Sequence, residues 1–558
     1  MIVTAGQRFA YPPPLAAAGG QKAEPPAEEQ PRSTSRRNFL KWSALAGVAA
    51  AAASVPALTS REAATPTPWS DNVKHYPVVI VGGGVSGIYA AWRLRGCDGS
   101  SPAAGQLQHP QVAVFEKSIH IGGRIKSFKV DGTDRFAELG AMRYVPSRHY
   151  LVRTLVEDKL RLPTREFAVS GPNTLAYLRG VRLTNEQIEK DPGVLPYNVA
   201  PHEKGKSPGR LIEDAIHQVI PEAGKLGEAD WQRVRESGTV RNGLPLHKLG
   251  FQNVLYRGMS PEAYRMVTDT VGYDTVMQNA ESVSSIQEFV SDFSTDTTYR
   301  TLVNGMMDLP NQLAAQFQQS GGQVYLQHEM QNLHYDAEQK RFVLQFDAGG
   351  ESTTVTADRV ILALPQRPLQ ALAEKSPLLN RPELRRLLDT VKSNPMTRII
   401  ARYRSPWWRE QGITQGRSIT DLPLRQVYYY AGEKGQDGFL MVYNDGAHDE
   451  FWAGFQEPEN PEAVKRFTAT PALVDELQEQ LGEMHGRSDL PAPEEVVYRR
   501  WASDSYGGAY HNWKPGTRPW EASERMIQPL ESEEIPLYVC GEAFSQSQGW
   551  IQGALETA

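Results

Sequence analysis

The first well-patterned block of this chain opens at Tyr76-Pro77 with Val78-Val79-Ile80-Val81. Four consecutive apolar, β-branched residues with no polar face predict a strand buried on both sides, as in a parallel sheet. Gly82-Gly83-Gly84-Val85-Ser86-Gly87 follows, and Ile88 to Leu94 then carries apolar residues at helical spacing. A second apolar run, Val112 to Phe115, ends in Glu116, and a Gly/Ser/Pro-rich stretch from Cys97 to Gln111 predicts a surface loop before it. From residue 150 to 290 the pattern is mostly helical, broken by polar turns such as Asp191-Pro192-Gly193 and Gly205-Lys206-Ser207.

After Gly321 the period shortens to that of strands. Short strands are predicted over 323–327, 331–335 and 342–346, and Val360 to Pro365 reads as another buried strand. Further strand-like runs occupy 398–403, 426–430, 439–443 and 495–498. The chain closes on Leu537-Tyr538-Val539-Cys540, Gly541-Glu542, and a helix expected to start at Gly549. Buried strands at both ends and in the middle predict an α/β fold in which one nucleotide-binding domain is assembled from separated segments. No repeat period is evident.

With 558 residues the chain is too long for a single core, so two or three domains are expected. Hydrophobic residues make up 40% and charged residues 22%, the balance of a soluble enzyme. The net charge of -6, with no Lys/Arg cluster among aromatics, argues against nucleic-acid binding. Cys97 and Cys540 cannot build a disulfide framework or a four-ligand zinc site, and two free thiols, one of them buried, are expected. No metal is expected.

Residues 1–34 are rich in Pro, Ala, Gly and Glu and are expected to be disordered. Ser35-Arg36-Arg37-Asn38-Phe39-Leu40-Lys41 then matches the full twin-arginine export pattern. An Ala-rich stretch from Trp42 to Ala53 follows, and Val55-Pro56-Ala57 offers small residues for cleavage, so 35–57 reads as a signal peptide. That stretch is shorter and less apolar than the ~20 residues a membrane span requires. Export to the periplasm or medium, without stable membrane insertion, is expected.

Gly82, Gly84 and Gly87 form G-x-G-x-x-G between a buried strand and a helix, the context the motif needs. The first glycine allows a tight turn, the second lets a pyrophosphate approach the backbone, and the third lets helix and strand pack closely. The helix N-terminus adds positive dipole, and Glu116 can accept from ribose hydroxyls. Its separation from the glycines exceeds the usual ~20 residues, and the 97–111 loop accounts for the excess.

Six residues past Glu116 stands Gly122-Gly123-Arg124, then Ile125-Lys126-Ser127. This double glycine with arginine resembles the flavin-containing amine-oxidase superfamily and implies FAD, with Gly123 and Arg124 beside its diphosphate. Glu138-Leu139-Gly140-Ala141-Met142-Arg143 narrows the resemblance to the L-amino-acid-oxidase family. Supporting segments are 191–195, 203–207, Gly305-Met306 with Leu309-Pro310, Thr420-Asp421-Leu422-Pro423, and Gly541-Glu542 with Gly549-Trp550. The resemblance covers about residues 76–558. It implies a discontinuous Rossmann-like FAD-binding domain (76–149, 301–379 and 501–558). A helical insert with part of the substrate domain would occupy 150–300, and a mixed-sheet substrate-binding domain 380–500.

The site residues follow from the resemblance one by one. Arg143 would hold a substrate α-carboxylate in a bidentate fork that Lys cannot form, and Tyr443 would add a hydroxyl to the same carboxylate. The Gly549 carbonyl would accept from the substrate amine while Trp550 walls the site. Trp501 would pack on the isoalloxazine, and Glu542 would bond a phosphate-side or ribityl group. The last helix would aim its positive end at the flavin N1/O2 edge. Ser86, Gly140, Ala141, Met142, Met330, Gly541 and Ile551, with Arg143 and Trp550 again, complete the implied FAD contacts. With Ser547-Gln548 before Trp550, the flavin is expected to be noncovalent.

Three positions depart from the family pattern. Arg398 stands where many members carry a lysine that holds a water near flavin N5; arginine cannot be a neutral base, so its role is electrostatic or Lys392 replaces it. Phe289 matches a histidine of some members. Asp445 follows Tyr443 at strand alternation, so both could face the pocket, where Asp445, Glu288 and Asp292 would favour Arg or Lys. The chain stops at Ala558, earlier than the resemblance leads one to expect, which leaves open that the sequence continues.

The implied reaction is oxidative deamination of an L-amino acid with O2, giving a 2-oxo acid, ammonia and hydrogen peroxide. An amino-acid 2-monooxygenase releasing an amide and CO2 would share the same arginine. A monoamine or polyamine oxidase is disfavoured by Arg143 and Tyr443, and a non-catalytic flavin-binding protein by the whole constellation. A homodimer is compatible with the resemblance.

Overall fold

The computed structural model describes residues 73–558 apart from 100–108, 241, 276, 278–279, 293–296, 433–434, 457–467, 502–506 and 531–534. The N-terminal extension and the twin-arginine segment lie outside the described residues, as does the side chain of Asp292.

The apolar run before the glycines forms strand Lys74–Val81, whose last four residues are buried. It lies parallel to both neighbours, Val112–Phe115 and Glu351–Leu362, which is why no polar face was present in its sequence. Gln323–Tyr325 extends the sheet beyond Val112–Phe115, and Leu537–Val539 pairs with the end of Glu351–Leu362, again in parallel. The first half of Glu351–Leu362 instead pairs antiparallel with Arg341–Ala348, which pairs with Glu329–Asp336. Seven strands from the beginning, middle and end of the chain thus form one sheet. Helix Val85–Leu94 packs Ile88, Ala91 and Trp92 against Leu309, Leu313 and Phe317 of helix Asp308–Gln319.

A second seven-stranded sheet runs in the order Glu495–Trp501, Met396–Tyr403, Gly438–Asp445, Gln426–Ala431, Arg417–Thr420, Leu175–Leu178 and Val181–Thr184. It is antiparallel except where Arg417–Thr420 meets Leu175–Leu178. The fold is therefore α/β with a parallel-rich and a mixed sheet.

Helices dominate residues 185–292, and several start the same way. Ser207 and Ser260 accept from the backbone N–H three residues on, each with Pro at the first helical position, in Pro208–His217 and Pro261–Val271. Thr470 does the same for Pro471–His485. The cap satisfies an orphan donor and the proline gives up none. Leu211, Ile212, Phe251, Val254, Leu255 and Val267 from these helices share one core.

Two expectations need correction. The region read as helical also contains strands Thr164–Glu166, Leu175–Leu178 and Val181–Thr184. The last two form a tight hairpin through Arg179 and Gly180, both at positive φ (50° and 80°), as a two-residue turn between twisted strands requires. The final helix runs over Ile551–Glu556, not from Gly549, because Gly549 sits at φ 81° and Trp550 is extended and caps it.

Candidate active site

The glycine turn, the ends of the parallel strands and one edge of the mixed sheet border a cavity of about 550 Å³. Gly82, Gly84, Ser86, Glu116, Gly123 and Arg124 line it, as do Gly140, Ala141, Met142, Met330, Gly541, Glu542 and Ile551. Gly87 does not. A Cβ there would overlap the carbonyl oxygen of Gly82, so this glycine serves helix–strand packing rather than ligand contact.

The two glycine loops touch each other: Gly122 N donates to Gly83 O at 2.9 Å, and a Cβ on Gly123 would come within 3.2 Å of Gly84 Cα. The Glu116 carboxylate accepts from Gly83 N (2.6 Å) and Ser118 N (2.8 Å). Two of its roughly four acceptor sites are thereby used, and the rest remain for hydroxyls. At Gly84 and Gly549 a Cβ would meet no atom within 4 Å, and at Gly541 only Ser86 Oγ at 3.8 Å. Bare backbone facing open space beside a fixed carboxylate fits the diphosphate and ribose of FAD.

Glu542 is a hub. Its carboxylate accepts from Arg124 Nη1 (2.8 Å), His511 N (2.9 Å) and Gly549 N (2.8 Å), and it contacts His511 Nδ1 at 2.9 Å. Burial would raise its carboxyl, but Arg124 and His511 outweigh that and hold it well below the usual carboxylate range. Both oxygens are thus engaged by the protein, and Arg124 also donates to Ala509 O. The pair orders the Gly541–Trp550 turn around the cavity.

A different chemistry governs the part lined by Arg143, Tyr273, Glu288, Arg398, Tyr443, Trp501, Tyr510 and Trp550. Arg143 is 5% exposed, with Nη1 donating to Tyr428 Oη (3.2 Å) and Nη2 to Tyr273 Oη (3.1 Å). Its guanidinium lies 4.3 Å from the Tyr299 ring centre and 5.2 Å from that of Phe167, and its Nε has no partner. Burial would lower its pKa, but the tyrosine oxygens outweigh that and raise it. No carboxylate among the described residues lies within ion-pair distance of it. Local sequence explains Tyr273: helix Pro261–Val271 ends at Gly272 in the left-handed conformation, and Gln426 Nε2 binds the Gly272 carbonyl at 2.8 Å, fixing the turn that carries the tyrosine.

Arg398 faces Tyr443 across the sheet, its guanidinium 3.6 Å over the tyrosine ring centre. Nη2 reaches Gly140 O at 3.5 Å and Met142 Sδ at 3.4 Å, while Nε and Nη1 have no partner. Burial raises the Tyr443 hydroxyl well above its ordinary pKa, so it stays a phenol. Trp501 Nε1 donates to Leu139 O, and Trp550 Nε1 to Glu288 Oε1 at 3.2 Å while its ring packs on His149.

Three expectations fail here. Lys392 is exposed on strand Val391–Asn394 and does not line the cavity. Phe289 packs on Phe251 within the helical core, and it is Glu288, one residue earlier, that lines the cavity. Asp445 is buried but does not line the cavity: it accepts from Asp274 N (2.9 Å), Thr275 Oγ1 (2.6 Å) and Tyr510 Oη (2.6 Å). Of these partners Tyr510 reaches the cavity, so strand alternation predicted the face but not the side chains that cover it. Neither thiol lines the cavity; Cys540 is buried, Cys97 partly so, and both are free.

Tyr273, Tyr428, His511 and Tyr510 were not singled out in the sequence. Only Tyr273 had a local signal, the glycine that ends a helical run.

The family description "flavin containing amine oxidoreductase" matches residues 85–558, and that of twin-arginine translocation signal sequences matches residues 33–53. The chain is 27% identical over 498 residues to an L-amino-acid oxidase of Gloydius blomhoffii, covering 88% of each chain. It is 28% identical over 494 residues to one of Bothrops pauloensis, again covering 88% of each. Among solved structures, wild-type putrescine oxidase bound to putrescine matches with a TM-score of 0.60 at 18% identity, over 87% of this chain and 97% of that one. This last likeness is one of fold.

Proposed function

Since the chain belongs to the flavin-containing amine oxidoreductases, with FAD as cofactor and a twin-arginine signal, we propose that it is an exported L-amino-acid oxidase. The products would be a 2-oxo acid, ammonia and hydrogen peroxide. One observation carries this reading: Arg143 is a buried cation in the cavity wall, and no carboxylate among the described residues lies within ion-pair distance to neutralise it. Burying an uncompensated charge costs several kcal/mol, and a substrate carboxylate removes that penalty. A carboxylate-free amine leaves it standing.

FAD, which Gly82, Gly84, Glu116, Gly123 and Arg124 would hold, would supply the two-electron redox chemistry that oxidises the substrate's Cα–N bond. The protein supplies orientation. Arg143 uses one N–H of each terminal nitrogen on a tyrosine, so the second N–H of each remains for an anion. Tyr443, held under the Arg398 guanidinium, presents a phenol that donates to the same carboxylate. The Gly549 carbonyl accepts from the amine, and the Trp550 indole, tied to Glu288, walls the substrate against water. Arg398 offers N–H donors and no acceptor, so its part beside the Tyr443 ring is electrostatic.

The test is anaerobic mixing of the FAD-loaded protein with each L-amino acid and with carboxylate-free amines of the same side chain, read as loss of flavin absorbance. Reduction by amino acids and little by the amines is expected; the reverse preference ends the proposal. Peroxide and 2-oxo acid, rather than amide and CO2, distinguish oxidase from monooxygenase.

A further inference from the structure

Asp445 is withdrawn from the cavity by its bonds to Thr275 and Tyr510. Of the described side chains that border the part around Arg143, Glu288 then brings the carboxylate, and aromatic rings and guanidiniums surround it. We propose that Glu288 determines the side-chain specificity of this site, selecting L-amino acids that end in a cation, arginine and lysine, over neutral ones of the same length. The inference rests on the L-amino-acid oxidase reading: Arg143 takes the α-carboxylate and Glu288 the far end of the substrate.

The fold holds this carboxylate in place. Helix Ser282–Asp292 starts on Glu281, whose side chain accepts from Val283 N and Ser284 N, both at 2.8 Å. The Glu281 N–H donates to Trp513 O at 2.8 Å, tying the helix to strand Tyr510–Trp513, which carries Tyr510 into the cavity wall. Val283 and Ile286 are buried in the helical core and Phe289 packs on it. Glu288 lies roughly 200° round the helix from Ile286, so it leaves that core and meets the cavity. Trp550 Nε1 fixes its Oε1 at 3.2 Å. A carboxylate has about four acceptor positions, and an indole N–H fills one without adding charge. Arg235, bonded to the preceding Gln287 at 3.0 Å, makes its ion pair with Glu228 at 2.6 Å. A guanidinium or ammonium brought here gains charge-assisted bonds to Glu288 and the π-face of Trp550.

An acidic side chain would need Arg398 instead, and the geometry disfavours it. That guanidinium lies on the Tyr443 ring with Nη2 turned to Gly140 O and Met142 Sδ, and its Nε and Nη1 are buried. Glu288 is partly exposed and within reach. A neutral side chain filling the same space would strip water from that carboxylate and give nothing back.

The probe is 5-guanidinopentanoate, which is arginine without its α-amine, set against the neutral 5-ureidopentanoate of the same shape. Each is titrated into the FAD-loaded enzyme at neutral pH and followed by the shift in flavin absorbance. The wild type should bind the guanidino compound tighter by on the order of tenfold to a hundredfold, the range of a hydrogen bond to a charged group. That comparison needs no variant. Glu288→Gln keeps an oxygen for Trp550 Nε1 but loses the charge, and should erase most of the difference. In turnover, the kcat/KM ratios of L-arginine to L-citrulline and of L-lysine to L-norleucine should fall by a similar factor in the variant; any general loss of activity cancels in a ratio. Equal binding of the two probes by the wild type, ratios that survive Glu288→Gln, or L-glutamate oxidised in preference to L-arginine overturns the assignment. Neutral L-amino acids that reduce the flavin as well as arginine does would remove the role of Glu288 alone. Reduction by carboxylate-free amines but by no L-amino acid would remove the oxidase reading, and this inference with it.

Discussion

The two parts of the cavity treat charge in opposite ways. Around Gly82, Gly84 and Glu542 the protein satisfies itself: Glu116 is held by backbone N–H groups, and Arg124 and Glu542 neutralise each other. What remains for a ligand there is bare backbone. Around Arg143 and Arg398 the protein leaves two buried guanidiniums on tyrosine hydroxyls, aromatic faces and a thioether, with no carboxylate partner among the described residues. A cofactor that stays bound can be held by a surface that is stable without it. A substrate that comes and goes gains affinity from a charge left waiting for it.

Removing that charge should have the largest effect. Arg143→Ala should lower kcat/KM for L-amino acids by about a hundredfold to several thousandfold, corresponding to roughly 3–5 kcal/mol for an unpaired buried charge. FAD content should be unchanged, since the dinucleotide part of the cavity does not use Arg143. Arg143→Lys should recover only part, keeping charge but losing the fork. Oxidation of a carboxylate-free amine should barely change. Equal losses on both substrates, or loss of flavin, would make Arg143 structural.

The converse change at the cofactor side should be smaller and of another kind. Glu542→Gln strands Arg124 and should cost about 3 kcal/mol, the low end for a broken buried pair, because Arg124 is partly exposed. Because Glu542 is held below the ordinary carboxylate range, the stability it contributes is present above about pH 4.3 and lost as pH falls further. The variant should lose FAD more readily and melt earlier at neutral pH, with its ranking of amino acids preserved. An altered ranking would mean the two regions are not separable.

How much of this was legible in the chain depended on distance. Val78 to Val81, the glycines and Glu116 act on near neighbours, and a run of β-branched residues with a turn behind it states that arrangement locally. Leu175–Leu178 was not legible, because a four-residue apolar run fits helix or strand equally and only the positive φ of Arg179 and Gly180 decides. The partners of Arg143 lie 130 and 285 residues away, brought together by a helix end and a sheet strand. No periodicity encodes such a meeting. Asp445 shows the same limit from the other side: its face followed from alternation, but Thr275 and Tyr510, which occupy its carboxylate, come from elsewhere in the chain.

A third prediction probes the cost of burying charge where neither ligand is involved. Glu138 is buried and accepts from Ser127 Oγ (2.6 Å) and Met306 N (2.9 Å). Burial pushes its carboxyl up to about 8, against the pull of those donors and of Arg165 and Arg398. The folded protein therefore keeps this proton while the unfolded chain releases it near 4.3. Between those values the folded state binds more protons, so stability falls as pH rises. Glu138→Gln should remove that slope, gaining on the wild type by about 2 kcal/mol between pH 5 and 6.5. Melting of the two proteins at both pH values measures it, and parallel curves would show that Glu138 ionises freely.

The smallest effect is expected at Lys392, and its smallness is informative. The resemblance places a lysine near the flavin where this chain has Arg398, and Lys392 is the nearest lysine in sequence that could have taken over. Its strand, Val391–Asn394, pairs with Tyr510–Trp513 in a separate two-stranded ladder, and its side chain is exposed and absent from the cavity wall. An exposed ammonium outside the cavity can neither hold a water at the reacting atoms nor accept the substrate's proton, because proton transfer needs hydrogen-bond reach or one bridging water. Lys392→Ala should thus change kcat/KM by less than about twofold at every pH, within the range of surface substitutions. Arg398→Lys, by contrast, would put a titratable amine under Tyr443 and should add a new limb to the pH profile of flavin reduction. A tenfold loss in Lys392→Ala would mean that the strand bearing it moves onto the cavity during turnover, and Arg398 would then have no claim to the family lysine's place.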